Sequence, residues 1–224
     1  MYVFQKADGG TLQSARDYDI AADTVVEKGQ VVQITEGLVT VAAQKISGRV
    51  LGIAAENHSG AADVLDPRAN GTKIHVYDAP DCVWRCPVPL VTALAGTATT
   101  LPVTDLKAFA ADDFNGGYAQ LVRKAEGSAN TDAVGQLRRI TDFALDAETP
   151  TRGTLTLVSG GAPSAGDVYA LYPPVGFAKG QLDSGRQKLD LSDSASLPVK
   201  VVGRDEERGY VLMMAAQHVL GVEE

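Results

Sequence analysis

The stretch Val31-Val32-Gln33-Ile34-Thr35-Glu36-Gly37-Leu38-Val39-Thr40-Val41-Ala42 (VVQITEGLVTVA) sets the reading of the whole chain. Two runs rich in β-branched residues flank a two-residue Glu-Gly break. Strands paired through a tight hairpin turn are built on this pattern, because glycine accepts the positive φ that such turns need. Helical periodicity is absent from the stretch, so the local prediction is a β-hairpin.

Outward from this hairpin the same texture repeats. Short β-type runs are predicted over 50–55, 73–77, 82–88, 118–123, 136–143, 153–158, 168–172, 199–202 and 210–215. In Lys73-Ile74-His75-Val76-Tyr77, Ile74 and Val76 fall on one face and His75 on the solvent face, as alternation in a half-buried strand requires. One helical signal stands out: Asp105 to Asp113 (DLKAFAADD) places Leu106, Phe109 and Ala110 at i, i+3 and i+4, enough for two turns. Leu90 to Thr99 (LVTALAGTAT) is too rich in Thr and Gly to assign.

These signals predict a mainly β protein: a β-sandwich or barrel-like base domain formed by both chain ends, with an inserted second β domain. The long polar turns DDFNGG, EGSANTDAVG, DAETPTRG and GGAPSAGD cluster between 97 and 173, and junctions are expected near Ala95-Gly96 and Pro173-Pro174. The expected division is therefore an arm over 1–18, a base domain over 19–95 and 174–224, and an insert over 96–173.

Bulk properties narrow the function classes. Apolar residues make up 45% and charged residues 21% of the 224, a globular rather than disordered balance. The net charge of -8 argues against a nucleic-acid partner, whose phosphates call for clustered Lys and Arg. No window approaches the eighteen or so uninterrupted apolar residues of a membrane span, and the N-terminal stretch lacks the pattern of a signal peptide. Two cysteines without an export signal point to synthesis in a reducing cytoplasm.

Both cysteines and the single tryptophan lie in Asp81-Cys82-Val83-Trp84-Arg85-Cys86. On a strand, Cys82, Trp84 and Cys86 share a face, and the two cysteine Cα atoms stand roughly 13 Å apart, too far for a disulfide. The CxxxC spacing matches no zinc ribbon, and His58, His75 and His218 are scattered, so the stretch reads as a core-facing stripe. There is no GxSxG elbow, no Walker or GxGxxG loop, and no DxDxDG calcium loop. The acids Asp112-Asp113, Asp190, Asp193, Asp205-Glu206-Glu207 and Glu223-Glu224 suit turns and solubility better than glycosidase or calcium chemistry. Arg138-Arg139 reads as a surface or interface pair. The chain is accordingly predicted not to be an enzyme, with no catalytic residues, no cofactor and no metal.

The order of segments carries a resemblance. AADTVVEKGQVVQITEGLVTVAAQKISGRVLGIAAEN (21–57), GTKIHVYDAPDCVWRCPVP (71–89) and VGFAKGQLDSGRQKLDLSDSASLPVKVVGRDEERGYVLMMAAQHV (175–219) resemble the head-decoration, or cement, proteins of tailed bacteriophages. The likeness covers the base domain. Residues 115–174 are similar to another β module recurrent in phage structural proteins. The resemblance implies a structural protein that docks on the outer surface of an assembled capsid in the virion, is made in the host cytoplasm, and bridges subunits of the major capsid protein as a homotrimer. Tyr2, Val3 and Phe4 are the candidate partner-binding residues, with closure of the protein's own sheet as their other possible role. A second reading makes the insert an adhesion module for host glycan or receptor, with Tyr118, Phe143, Tyr169 and Tyr172 as an exposed aromatic platform.

Overall fold

The computed structural model describes residues 3–7, 15–42, 50–59, 72–106, 109, 112–149, 151–175, 181–182, 189–190 and 199–215. Every regular element among them is a strand. The chain is mainly β, as the alternation predicts, and divides into two compact units.

The first unit comprises residues 1–87, 178–200 and 212–224. Its five-stranded antiparallel sheet runs β2 (Arg16–Asp19), β6 (Lys73–Tyr77), β5 (Val50–Ala54), β3 (Val31–Thr35), β4 (Leu38–Val41). The predicted hairpin is β3–β4, with Thr35 opposite Leu38 and Val32 opposite Val41. Glu36 and Gly37 take φ of 52° and 83°, the two consecutive left-handed residues of a type I′ turn. A bridge between Ile20 and Val39 draws the two outer strands together, so the sheet curls on itself. Inside the curl Ile20, Val32, Val39, Leu51, Ile74 and Val76 form one buried cluster.

β5 is buried along its whole length, and Gly52 explains how it fits. A Cβ at this position would meet the Tyr77 carbonyl oxygen at 1.9 Å, so only glycine lets β5 approach the end of β6.

A four-stranded sheet is ordered β1 (Val3–Ala7), β7 (Cys82–Pro87), β17 (Tyr210–Ala215), β16 (Val199–Asp205). Two of its members are the first and the last strand among the described residues. The stretch 1–18, expected as an arm, contributes β1 and most of β2 to the unit's sheets. A short pair, β14 (Gln181–Leu182) with β15 (Leu189–Asp190), completes the unit.

The second unit comprises 88–177 and 201–211. It is a closed six-stranded barrel in the order β10 (Tyr118–Arg123), β11 (Leu137–Leu145), β12 (Gly153–Leu157), β9 (Thr100–Thr104), β8 (Leu90–Ala93), β13 (Val168–Tyr172), with β13 pairing back to β10. The expected insert, 96–173, lies wholly within it. β8 precedes the expected boundary because the barrel cannot close without it: β8 joins β9 to β13. The core includes Leu101, Leu121, Ile140, Leu155 and Tyr169, none exposed. Phe114 packs edge-on against Phe143 and against Phe109, with centroids 5.4 and 4.9 Å apart.

The predicted helix over 105–113 is not formed in its described part. Asp105 and Asp112 both have φ of 69°, outside any right-handed helix, and a turn follows at 112–116. Leu106 and Phe114 are buried and Phe109 packs on the Phe114 ring, so part of the helix-like apolar spacing is satisfied without a helix.

Replacing Gly52 by Ala is expected to cost about 3 kcal/mol or more, the range of an unrelieved core clash. Gly37→Ala, whose Cβ meets open space but whose φ is +83°, is expected to cost about 1 kcal/mol. Urea unfolding of both variants checks the order.

Candidate functional site

Polar side chains are most densely organised at one end of the barrel, where the β10–β11 and β12–β13 loops and the β8–β9 turn meet. Strand alternation turns Arg138 inward beside Ile140 while Arg139 remains exposed. Arg138 is 4% exposed, so the expectation of a surface pair is corrected for this residue. Its guanidinium uses all five N–H groups. Nε donates to the Val158 carbonyl at 2.9 Å, and Nη2 donates to that oxygen at 2.8 Å and to the Ala98 carbonyl. Nη1 donates to the Gly161 carbonyl at 2.9 Å and to Asp132 Oδ2 at 3.4 Å. Buried charge survives only when paired and fully hydrogen-bonded, and here it is both.

The network continues through Asp132, whose Oδ1 accepts the Gly161 N–H at 2.7 Å. The Asn130 side chain accepts the Asp132 N–H at 3.0 Å and donates to Asp167 Oδ2 at 3.0 Å and to the Tyr169 hydroxyl at 2.7 Å. Asp167, fully buried, also accepts the N–H groups of Ala125 at 2.9 Å and Ser164 at 3.1 Å. Burial pushes the Asp167 carboxyl up, but the donors from Ala125, Asn130 and Ser164 outweigh it and hold the group below the usual carboxylate range. Burial pushes the Tyr169 phenol up to about 12. Each group is consumed by another, which suits a brace between loops rather than a site that takes a ligand.

The first unit holds two smaller clusters. Asp78, fully buried, accepts the Tyr18 hydroxyl and faces Arg16 at 3.5 Å. Burial, then the hydrogen bond to Asp78, pushes the Tyr18 phenol up to about 12. His75 lies on the solvent face as predicted, with Nε2 2.8 Å from Asp17 and Nδ1 2.8 Å from Glu56. His58 is buried, its Nδ1 2.5 Å from the Thr24 carbonyl oxygen. His218 lies outside the described residues.

Cys82, Trp84 and Cys86 lie on β7, all fully buried, and neither cysteine is in a disulfide. Burial pushes the Cys82 thiol up to about 11, far from the depressed values of reactive cysteines. Val83, on the opposite face of the strand, is buried as well. Among the described residues no group of three or more His, Cys, Asp or Glu side chains is placed to hold a metal ion. Asp113 is buried and Asp112 exposed at the mouth of a turn, while Asp193, Glu223 and Glu224 lie outside the described residues.

Of the candidate partner-binding residues, Tyr2 lies outside the described residues. Val3 and Phe4 lie on β1, opposite Arg85 and Trp84 of β7, and β1 is the outermost strand in the order of its sheet. The aromatic platform of the adhesion reading is not formed. Phe143, Tyr169 and Tyr172 are buried, and the Tyr118 ring is covered by the Arg204 guanidinium, 4.0 Å from its centroid.

The residues of the barrel brace escaped sequence reading because Asn130, Asp132 and Asp167 sit in turn-like stretches, SANTD and SAGD. The available signal was alternation: Arg138 shares its parity with Ile140 and so points inward. Comparison with protein-family models, curated proteins and solved structures gave no match to the chain.

Removing the guanidinium with Arg138→Leu takes their buried donor from Asp132 Oδ2 and from the Val158 and Gly161 carbonyls, and the barrel is expected to lose about 3 kcal/mol in urea unfolding. Asp167→Asn is expected to cost about 2 kcal/mol at neutral pH, since an amide cannot accept all three N–H groups. Asp167 is held below the usual carboxylate range, so its contribution is present above about pH 4 and is lost as pH falls further. The gap between wild type and Asp167→Asn should therefore shrink in acid.

Proposed function

We propose that this chain is a non-enzymatic structural protein of a tailed-phage virion, docking on the outer surface of the assembled capsid and bridging subunits of the major capsid protein as a homotrimer. The observation that carries this reading is the order of segments in the first unit. The KGQVV hairpin, the LGIAAE strand and the VYDAP-DCVW strand pair follow one another in the arrangement that resembles cement proteins. They correspond to β3–β4, β5 and β6–β7.

The physical chemistry is compatible with that role. A cement needs a rigid body that resists deformation and an edge or arm that engages its neighbours, not a catalytic cleft. The barrel is closed and internally braced. β1, next to the chain start, leads its sheet as the outer strand.

Adding the purified protein to capsids that lack it, followed by imaging, tests the proposal. Stoichiometric density at threefold or quasi-threefold positions is the expected result, and absence of binding at every stage of shell maturation overturns it. Cys82→Ser with Cys86→Ser is expected to lower stability by about 2 kcal/mol through buried hydroxyls, leaving shell binding unchanged.

A further inference from the structure

The outer face of the barrel carries two tyrosines that strand alternation alone would leave in solvent. β10 and β13 pair with Tyr118 opposite Tyr172, Ala119 opposite Leu171, Gln120 opposite Ala170 and Leu121 opposite Tyr169. Ala119, Leu121, Tyr169 and Leu171 fill the core, so parity turns Tyr118 and Tyr172 outward. Leu90, on the same outer face opposite Ala170, is 57% exposed, yet Tyr172 is fully buried.

Its cover is the 201–211 stretch, the tip of the β16–β17 hairpin, which belongs to the same unit as the barrel. Arg204 lays its guanidinium 4.0 Å from the Tyr118 ring centroid. The Tyr172 hydroxyl donates to Gln120 Oε1 at 2.9 Å and faces the Glu206 carbonyl oxygen at 3.5 Å. The Gly209 carbonyl accepts the Val88 N–H at 3.1 Å. Burial, then the Glu206 and Asp205 carboxylates, push the Tyr172 phenol up to about 12. The tip also holds its own shape. Asp205 Oδ1 accepts the Arg208 N–H at 3.2 Å, Arg204 Nε donates to the Glu206 carboxylate, and Gly209 takes φ of 70° where the turn ends. Lifting the tip therefore breaks its contacts to the barrel and leaves those within it intact.

We propose that 201–211 is a strap closed over the tyrosine pair of the barrel, fastened by Arg204 on the Tyr118 ring, and that its lifting opens the Tyr118–Tyr172 face to solvent. A cation on an aromatic face at the surface is a modest bond, which favours the closed strap without locking it. Such a segment opens locally while the ladder beneath it stays paired. The strap does not rest on the capsid reading.

Native-state trypsin digestion of the full-length protein, read by mass spectrometry, tests the strap. Cleavage after Arg204 needs the tip lifted, and cleavage after the exposed Arg152, on the β11–β12 connection, serves as reference. With Tyr118→Leu the rate at Arg204 relative to Arg152 is expected to rise about threefold, the loss of one cation–π contact, and nitration of Tyr172 by tetranitromethane to rise with it. Tyr118→Phe keeps a ring under the guanidinium and is expected to leave both readouts at the wild-type level. Arg204→Gln removes the cation without touching the barrel strands and should raise Tyr172 nitration to the same extent as Tyr118→Leu. An unchanged ratio in Tyr118→Leu, an equal rise in Tyr118→Phe, or unchanged Tyr172 nitration in Arg204→Gln overturns the inference.

Discussion

Strand edges impose the constraint on which this structure turns. Every strand carries N–H and C=O groups along both sides, and an unpaired side invites pairing with another chain. With no helix among the described residues to lie over an edge, the strands must answer one another. The barrel does so completely, because β13 returns to β10 and leaves no end strand. The five-stranded sheet does so in part, drawing its outer strands together at Ile20 and Val39. Its outer strand β2 reads Arg-Asp-Tyr-Asp, and charge on an exposed edge discourages a second chain from adding there. The four-stranded sheet ends instead on β1, of sequence VFQKA, which carries one charged residue where β2 carries three.

Closure has a consequence for the loops. A six-stranded barrel gathers its connecting segments at its ends, where backbone groups leave the ladder and need new partners. At one end Arg138, Asp132, Asn130 and Asp167 provide them, and every polar atom described there is spent on a loop backbone or on another member. Such saturation accounts for the buried charge of Arg138. The same logic applies to Asp78 beneath Tyr18 and Arg16. At this barrel end and beneath Tyr18 the buried polar side chains are committed to loop backbone and to one another.

Much of the fold was legible. The hairpin at 31–42, the strands at 73–77, 118–123, 168–172 and 210–215, and the buried stripe of Cys82, Trp84 and Cys86 all follow from alternation and turn chemistry. The strands that were missed have physical excuses. β9 contains Pro102, which cannot donate to a ladder, and β8 lies in a Thr- and Gly-rich run of weak periodicity. β2 is charged along its length, so no apolar face announces it. The inward turn of Arg138 was readable from its parity with Ile140, but a charged residue is expected outside unless its partners are known, and those partners lie 6 to 40 residues away.

The sequence by itself determined that the chain is built of short strands joined by tight turns and that its cysteines belong to a core. These are local properties, decided by the period of apolar residues and by the φ that glycine or asparagine permits at a turn. Only the tertiary structure decided that the second unit closes, that β8 and the 201–211 hairpin tip belong to it, and that one arginine of a pair is buried. Those outcomes depend on which distant groups arrive to share a hydrogen bond. Alternation assigns a side chain to a face, but it carries no record of what waits on the other side of that face.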